Sequence, residues 1–148
     1  MQQRLQQNNK LVEKVFNNVF SKYDLMNDIM SFGIHRLWKK ELIHLLNPSE
    51  KTKLIDVGCG TGDIGKLFLK ATNNNCEILC VDPNKNMIKE GEKNFKNLKN
   101  VKWSNNHAEK LKTYSNYYDY YTISFGLRNT TNLNKSISEA YRVLKKGG

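Results

Sequence analysis

Residues 56–63 read Asp-Val-Gly-Cys-Gly-Thr-Gly-Asp, three alternating glycines framed by two carboxylates. Glycine has no Cβ, so such a turn lets the backbone approach a nucleotide-like ligand that side chains would hold off. Asp82 lies twenty residues beyond Gly62, about where a single acid bonds both hydroxyls of a ribose. To that point the spacing suits NAD and S-adenosylmethionine alike, and three details choose between them. Gly58-Cys59-Gly60-Thr61-Gly62 is one residue tighter than the G-x-G-x-x-G of dinucleotide sites. A carboxylate facing the ligand, such as Asp56, repels a pyrophosphate but suits a sulfonium and an amino group. His107-Ala108-Glu109 follows a third apolar run, where an adenine pocket needs a donor. The expected ligand is S-adenosylmethionine, with Asp56, Gly58 and Gly60 at the loop and Asp82 at the ribose.

The elements that must hold these residues follow from periodicity. Val12, Val15, Phe16, Val19, Phe20 and Tyr23 recur at helical spacing. A second stripe, Ile34, Leu37, Trp38, Leu42 and Leu45, predicts a helix ending near Asn47-Pro48. Between them, residues 24–33 are too apolar for a solvated loop and read either as a packed connector or as cover for a substrate pocket. From Lys51 the rhythm becomes strand, glycine turn, helix, strand. Strands are expected at 54–57, 78–81, 101–103 and 118–125, with helices after the glycine turn, over 85–95, and at the end. The last helix carries Leu133, Ile137, Ala140, Tyr141 and Leu144 on one face. Alternating strands and helices predict an α/β fold with a parallel, doubly wound sheet and right-handed crossovers. The organisation expected is an N-terminal helical segment, residues 1–50, followed by the sheet domain, residues 51–148.

The 148 residues, 39% hydrophobic and 26% charged, suit a single globular domain with a real core, and no apolar run approaches the ~20 residues of a membrane span. The net charge of +10 raises nucleic acid as a partner. The lysines are scattered among asparagines, without a stripe of interleaved aromatics, so solvated helix faces are the expected explanation and nucleic acid is not an expected partner. Attraction to an anionic membrane surface is compatible with this balance. Three cysteines, Cys59, Cys76 and Cys80, preclude complete pairing and leave no second pair for a zinc site, so reduced thiols and no metal are expected. Residues 1–10 have no apolar stretch of the kind a secretory signal carries and make a poor transit peptide.

Two longer segments carry a resemblance. Val15-Phe16-Asn17-Asn18-Val19-Phe20-Ser21-Lys22-Tyr23-Asp24-Leu25-Met26-Asn27-Asp28, with Ser31-Phe32-Gly33-Ile34-His35-Arg36-Leu37-Trp38-Lys39, resembles the N-terminal signature of the ubiquinone/menaquinone-biosynthesis C-methyltransferases. Ile123-Ser124-Phe125-Gly126-Leu127-Arg128-Asn129-Thr130-Thr131 matches their second signature, and residues 139–148 are similar as well. The resemblance implies a Rossmann-like, S-adenosylmethionine-dependent methyltransferase acting on a polyprenyl benzoquinol, or in bacteria on demethylmenaquinol. It implies that Thr61 and Asp82 contact the cofactor. His107 and Ala108 stand where the family often has Asn-Ala, and Ser124 completes the site. It also implies peripheral membrane association, a multisubunit coenzyme Q complex and a homodimer. The location implied is the matrix side of the mitochondrial inner membrane, or the bacterial cytoplasm. Two departures stand out. Val57-Gly58-Cys59-Gly60 replaces the family's frequent Ala-Gly-Gly, and Leu111-Lys112-Thr113-Tyr114 replaces a Leu-Pro-Phe-like stretch, so that loop should be shaped differently.

In C-methylation a ring carbon attacks the sulfonium methyl in line, once a hydroquinone hydroxyl has lost its proton, and positioning supplies much of the acceleration. Arg128 stays charged, so it would stabilise the phenolate or polarise a water rather than act as base. Asn129 and Tyr23 would orient the ring hydroxyls. For Arg128-Asn129 the competing role is a salt bridge and a turn, and for His35 helix packing competes with proton acceptance. A nucleic-acid methyltransferase usually needs two prolines and an aromatic after the fourth strand, and Ser124-Phe125-Gly126-Leu127 has no proline. The other class to consider is a catalytically inactive cofactor-binding or assembly subunit. Gly147-Gly148 after a helix signals a turn into another strand, so the sheet is expected to stop after its fourth strand and helix, short of the usual seven. Such a chain should keep cofactor affinity and lose turnover.

Overall fold

The computed structural model describes residues 34–124 and 126–148. The expected helix over residues 12–23, the connector 24–33, Tyr23 and Phe125 lie outside the described residues. The chain divides into two compact units, Met1–Trp38 and Lys39–Gly148.

Four strands form one sheet: β1 (Thr52–Val57), β2 (Cys76–Val81), β3 (Val101–Ser104) and β4 (Tyr120–Thr122). Their order is β3-β2-β1-β4 and every pairing is parallel. Parallel neighbours require crossovers. Helix α2 (Asp63–Ala71) carries β1 to β2, and α3 (Lys85–Asn94) carries β2 to β3. Residues 105–119 join β3 to β4 without a helix, and a 3₁₀ turn (Leu127–Asn129) precedes α4 (Leu133–Val143). Helix α1 (Ile34–Leu46) comes before β1.

Alternation along each strand divides the core between the two faces. Leu54, Ile78 and Cys80 meet Phe68 and Leu69 of α2, together with Phe95 and Ile43. On the other face Ile55, Val57 and Val81 meet Ala108, Leu111, Tyr118 and Val143. The three thiols are free, with Cys76 and Cys80 buried.

Both predicted stripes fall on helices, Ile34–Leu46 and Leu133–Val143, and much of each stripe is exposed. Leu133, Ile137 and Tyr141 do share one face of α4, but that face is exposed, Tyr141 at 84%. The residues buried are Ser136 and Val143. The reason is a set of backbone bonds at the helix end: Asn116 N–H donates to Arg142 O, Tyr117 and Tyr118 N–H to Val143 O, and Lys145 N–H to Tyr118 O. These bonds hold the helix end against residues 116–118, with Ser136 and Val143 turned inward. In α1, Ile34, Leu37, Trp38 and Leu45 are likewise exposed, while Ile43 enters the core. β4 is shorter than the apolar run at 118–125, because Tyr118 pairs instead with Leu144 in an isolated bridge.

The asparagine excess has a structural use. Asn47, Asn73, Asn74, Asn97 and Asn116 all hold positive φ, the left-handed conformation that asparagine tolerates better than other non-glycine residues.

Candidate functional site

Because the sheet is parallel, the C-terminal ends of its strands lie along one edge. That edge collects the loop after β1, Asp82 after β2, His107-Ala108 after β3 and Ser124 after β4. Ligands of open α/β sheets sit at this edge.

The loop's shape comes from its own bonds. Cys59 N–H donates to Val81 O (3.1 Å), and Gly62 N–H donates to Cys59 O (2.9 Å). Gly62 caps α2 at φ 91°, and a Cβ there would stand 2.8 Å from Phe95 and 2.9 Å from Trp103. Among the described residues, nothing lies within 4 Å of the corresponding point at Gly60. A Cβ on Gly58 would come within 3.4 Å of Gly126 Cα. This close approach brings the segment carrying Arg128 and Asn129 against the loop.

Asp82 is 8% exposed, and both its oxygens accept backbone bonds: Oδ2 from Gly60 N–H (2.9 Å) and Oδ1 from Asn84 N–H (2.8 Å). Burial raises its pKa, and these two amides oppose the rise. The carboxylate expected at the ribose therefore also holds the loop to the start of α3. Asn105 completes the corner, its amide donating to Asp82 O (2.9 Å) and Pro83 O (2.8 Å).

Asp56 is 1% exposed. Its Oδ1 accepts from Thr122 Oγ1 on β4 (2.8 Å), directly across the β1–β4 pairing, while Oδ2 is buried with no hydrogen-bond partner among the described residues. Burial pushes its pKa up to about 7, against the Thr122 bond and the charge of Lys39. Asp63, at the far end of the loop, is paired with Lys39 (2.7 Å). Asp56 is thus the acid of the loop that keeps an acceptor in reserve.

Ala108 is buried and His107 exposed, while Thr61 and Ser124 are half-buried. Arg128 and Asn129 lie exposed on the 3₁₀ turn, and no ion pair involving Arg128 occurs among the described residues. His35 is buried in α1.

One residue of the edge escaped the sequence reading as a site residue. Glu109 Oε1 accepts from Thr131 N–H (2.6 Å), Thr131 Oγ1 (3.0 Å) and Asn132 N–H (3.3 Å). It fastens the turn after Arg128-Asn129 to the loop bearing His107 and Ala108. Its sequence signal was only its place beside Ala108, since the bonds span more than twenty residues.

Among the described residues, a buried carboxylate oxygen without a hydrogen-bond partner, room at Gly60 of the glycine turn and an acid at the end of β2 together fit a cationic, ribose-bearing cofactor. The comparisons agree. The model of the ubiE/COQ5 methyltransferase family matches residues 2–148. A ubiquinone/menaquinone biosynthesis C-methyltransferase UbiE of Rickettsia akari is 47% identical over 144 residues, covering 93% of this chain and 58% of that protein. The mitochondrial 2-methoxy-6-polyprenyl-1,4-benzoquinol methylase of Dictyostelium discoideum is 41% identical over 169 residues, covering 93% and 54%. The chain therefore spans a little over half the length of these relatives. Among solved structures, a putative S-adenosyl-L-methionine-dependent methyltransferase of Methanococcus maripaludis superposes with TM-score 0.68 at 20% identity, covering 94% of this chain and 58% of that one. An Aquifex aeolicus SAM-dependent methyltransferase gives 0.66 at 20%, covering 72% and 58%. The fold is the Rossmann-like methyltransferase fold, and the chain belongs to the ubiE/COQ5 methyltransferase family.

Proposed function

We propose that the chain binds S-adenosylmethionine at the C-terminal edge of its sheet and serves the C-methylation of a polyprenyl benzoquinol. The observation that carries this is the pairing of Asp56, with its unpartnered Oδ2, and Asp82 across the glycine loop. The names of the Rickettsia and Dictyostelium relatives support the reaction and the quinol class.

When bound, the cofactor supplies an electrophilic methyl group. Asp56 faces its positive charge, Gly58, Gly60 and Thr61 shape its bed, and Asp82 takes the ribose while holding Gly60 in place. Ala108, with His107 beside it, borders the adenine, and Ser124 closes the site after β4. Arg128 stabilises the phenolate of the quinol, or polarises the water that removes its proton, and Asn129 orients a ring hydroxyl. Tyr23 is assigned to the second hydroxyl from the sequence alone. Demethylmenaquinol is the second substrate reading, because the UbiE relatives carry both quinones in their name.

In the same reading the protein works as a peripheral membrane protein, as a homodimer or within a multisubunit coenzyme Q complex. The site of action is the matrix face of the mitochondrial inner membrane, or the bacterial cytoplasm. No helix of the described residues is long and apolar enough to cross a membrane.

Calorimetric titration with S-adenosylmethionine, followed by transfer of a labelled methyl group to a short-chain benzoquinol and to a naphthoquinol, tests the proposal. Cofactor binding with transfer to either ring supports it. Binding without transfer favours an inactive cofactor-binding subunit, and the lack of any binding sinks both.

A further inference from the structure

A cleft of about 420 Å³ opens along β2 and β3, on the sheet face carrying Leu79. It lies on the first half of β2, at Glu77, Ile78 and Leu79, away from the strand ends that hold the glycine loop. Three lysines from three segments converge there: Lys99 before β3, Lys102 within it and Lys112 in the loop that follows. The sequence shows these as scattered charges; the fold gathers them and sets Tyr114 and Tyr117 beside them.

The cleft's single acid is already engaged. Glu77 is paired with Lys53 (3.7 Å) and accepts a bond from the Tyr117 hydroxyl (3.2 Å), and Lys53 lies over the Tyr117 ring. Lys99, Lys102 and Lys112 have no ion pair among the described residues. A lysine on edge strand β3 discourages pairing with other chains, which accounts for Lys102 but not for two lysines placed by loops.

The loop bearing Lys112 and Tyr114 is also held ready. Arg142 donates to Leu111 O (2.9 Å), Thr113 O (3.0 Å) and Ser115 Oγ (3.0 Å), and Leu111 N–H donates to Glu139 Oε2 (2.7 Å). The three side chains line one cleft, so a multiply charged anion there would meet several ammonium groups at once. Ammonium groups and a phenol hydroxyl are donors that phosphate oxygens accept.

We propose that this cleft is a binding site for a phosphate group, carried by a soluble phosphorylated molecule or by a lipid headgroup. The test compares the wild-type chain with two triple variants of equal net charge. One is Lys99→Gln, Lys102→Gln, Lys112→Gln. The other, on the opposite side of the sheet, is Lys70→Gln, Lys89→Gln, Lys96→Gln. Each is titrated with inorganic phosphate and pyrophosphate, and floated with phosphatidylcholine vesicles with and without roughly one third phosphatidylglycerol. The cleft triple should weaken binding about a hundredfold, and the control triple by less than about threefold. Pyrophosphate binding identifies a soluble ligand, and binding confined to the anionic vesicles identifies a headgroup. The proposal is overturned if none of these probes binds or if both triples lose equally. An unchanged S-adenosylmethionine isotherm shows that the cleft variant has kept its fold, and keeps this outcome separate from that of the proposed cofactor site.

Discussion

The ends of β1 and β2 each carry a buried aspartate whose pKa burial raises, and the protein treats the two differently. Asp82 has both oxygens bound to backbone amides, which oppose that rise, and its task in the free protein is to hold the loop. Asp56 has one hydroxyl bond and, among the described residues, one oxygen without a partner, and burial lifts its pKa to about 7. One carboxylate braces the loop, and the other is the one that faces the cation in the function proposed above. Two residues that look alike in the sequence are thus separated by what the neighbouring backbone offers them.

The largest effect should come from breaking the structural member. Asp82→Ala leaves the Gly60 and Asn84 amides without their acceptor, at a cost of about 1.5–3 kcal/mol for each bond to a charged group. Urea denaturation should show a loss of a few kcal/mol, with cofactor affinity falling at least about a hundredfold. A variant as stable as the parent would show that the loop needs no such clamp.

Next comes the pH dependence of Asp56. Its folded pKa is raised above the ordinary 3.8, so the stabilising contribution of its proton is complete below 3.8 and is lost as pH rises through about 7. Over that window the free chain should lose on the order of a few kcal/mol from this group. Affinity for the cationic cofactor should run the other way, rising about tenfold from pH 6 to pH 8 as the carboxylate ionises. Asp56→Asn keeps an acceptor for Thr122 and removes the titration, so both slopes should flatten. Thermal melts and calorimetry across pH measure them, and slopes that persist in the variant would assign the titration elsewhere.

How far this contrast was legible beforehand depends on the range of the interactions. Asp56, the glycines and Asp82 could be placed from spacing, because a strand–turn–helix unit is local and its ligand edge follows from parallel connectivity. The bond from Thr122 to Asp56 could not, since it joins residues sixty-six apart through a strand pairing. The same holds for Glu109 and for the lysine cleft, whose members come from separate segments. The exposure of the α4 stripe was out of reach for a related reason. Leu133, Ile137 and Tyr141 make a proper helical stripe, but Asn116, Tyr117 and Tyr118 bind the helix end and turn Ser136 and Val143 inward. Periodicity reports that a face exists, while tertiary hydrogen bonds decide where it points.

A gentler change sharpens the contrast. Thr122→Val keeps the shape and removes the one hydroxyl that supports the Asp56 charge. Because that bond lowers the pKa, the midpoint for cofactor affinity should move to higher pH. Stability at low pH, where the carboxyl is protonated, should change by only about 1 kcal/mol. A midpoint that stays in place would mean that burial alone sets the titration.

The smallest effect reaches Asp56 without touching it. Lys39 is paired with Asp63 at 2.7 Å, and its charge lowers the pKa of Asp56, whereas Asp63 and Asp82 raise it. Lys39→Gln breaks a pair whose lysine is 16% and whose aspartate is 36% exposed, so the stability loss should stay below about 1 kcal/mol. The titration should respond more clearly than the stability. With the lysine gone, Asp63 and Asp82 still raise the pKa of Asp56, and its midpoint should rise. Added salt should then draw that midpoint back down, because a Debye length near 10 Å at 0.1 M screens the remaining repulsion. In the parent the lysine opposes the carboxylates, so the same salt should move the midpoint less. Equal salt responses in the two proteins would remove Lys39 from the electrostatics of the loop and leave Asp56 governed by its burial and Thr122.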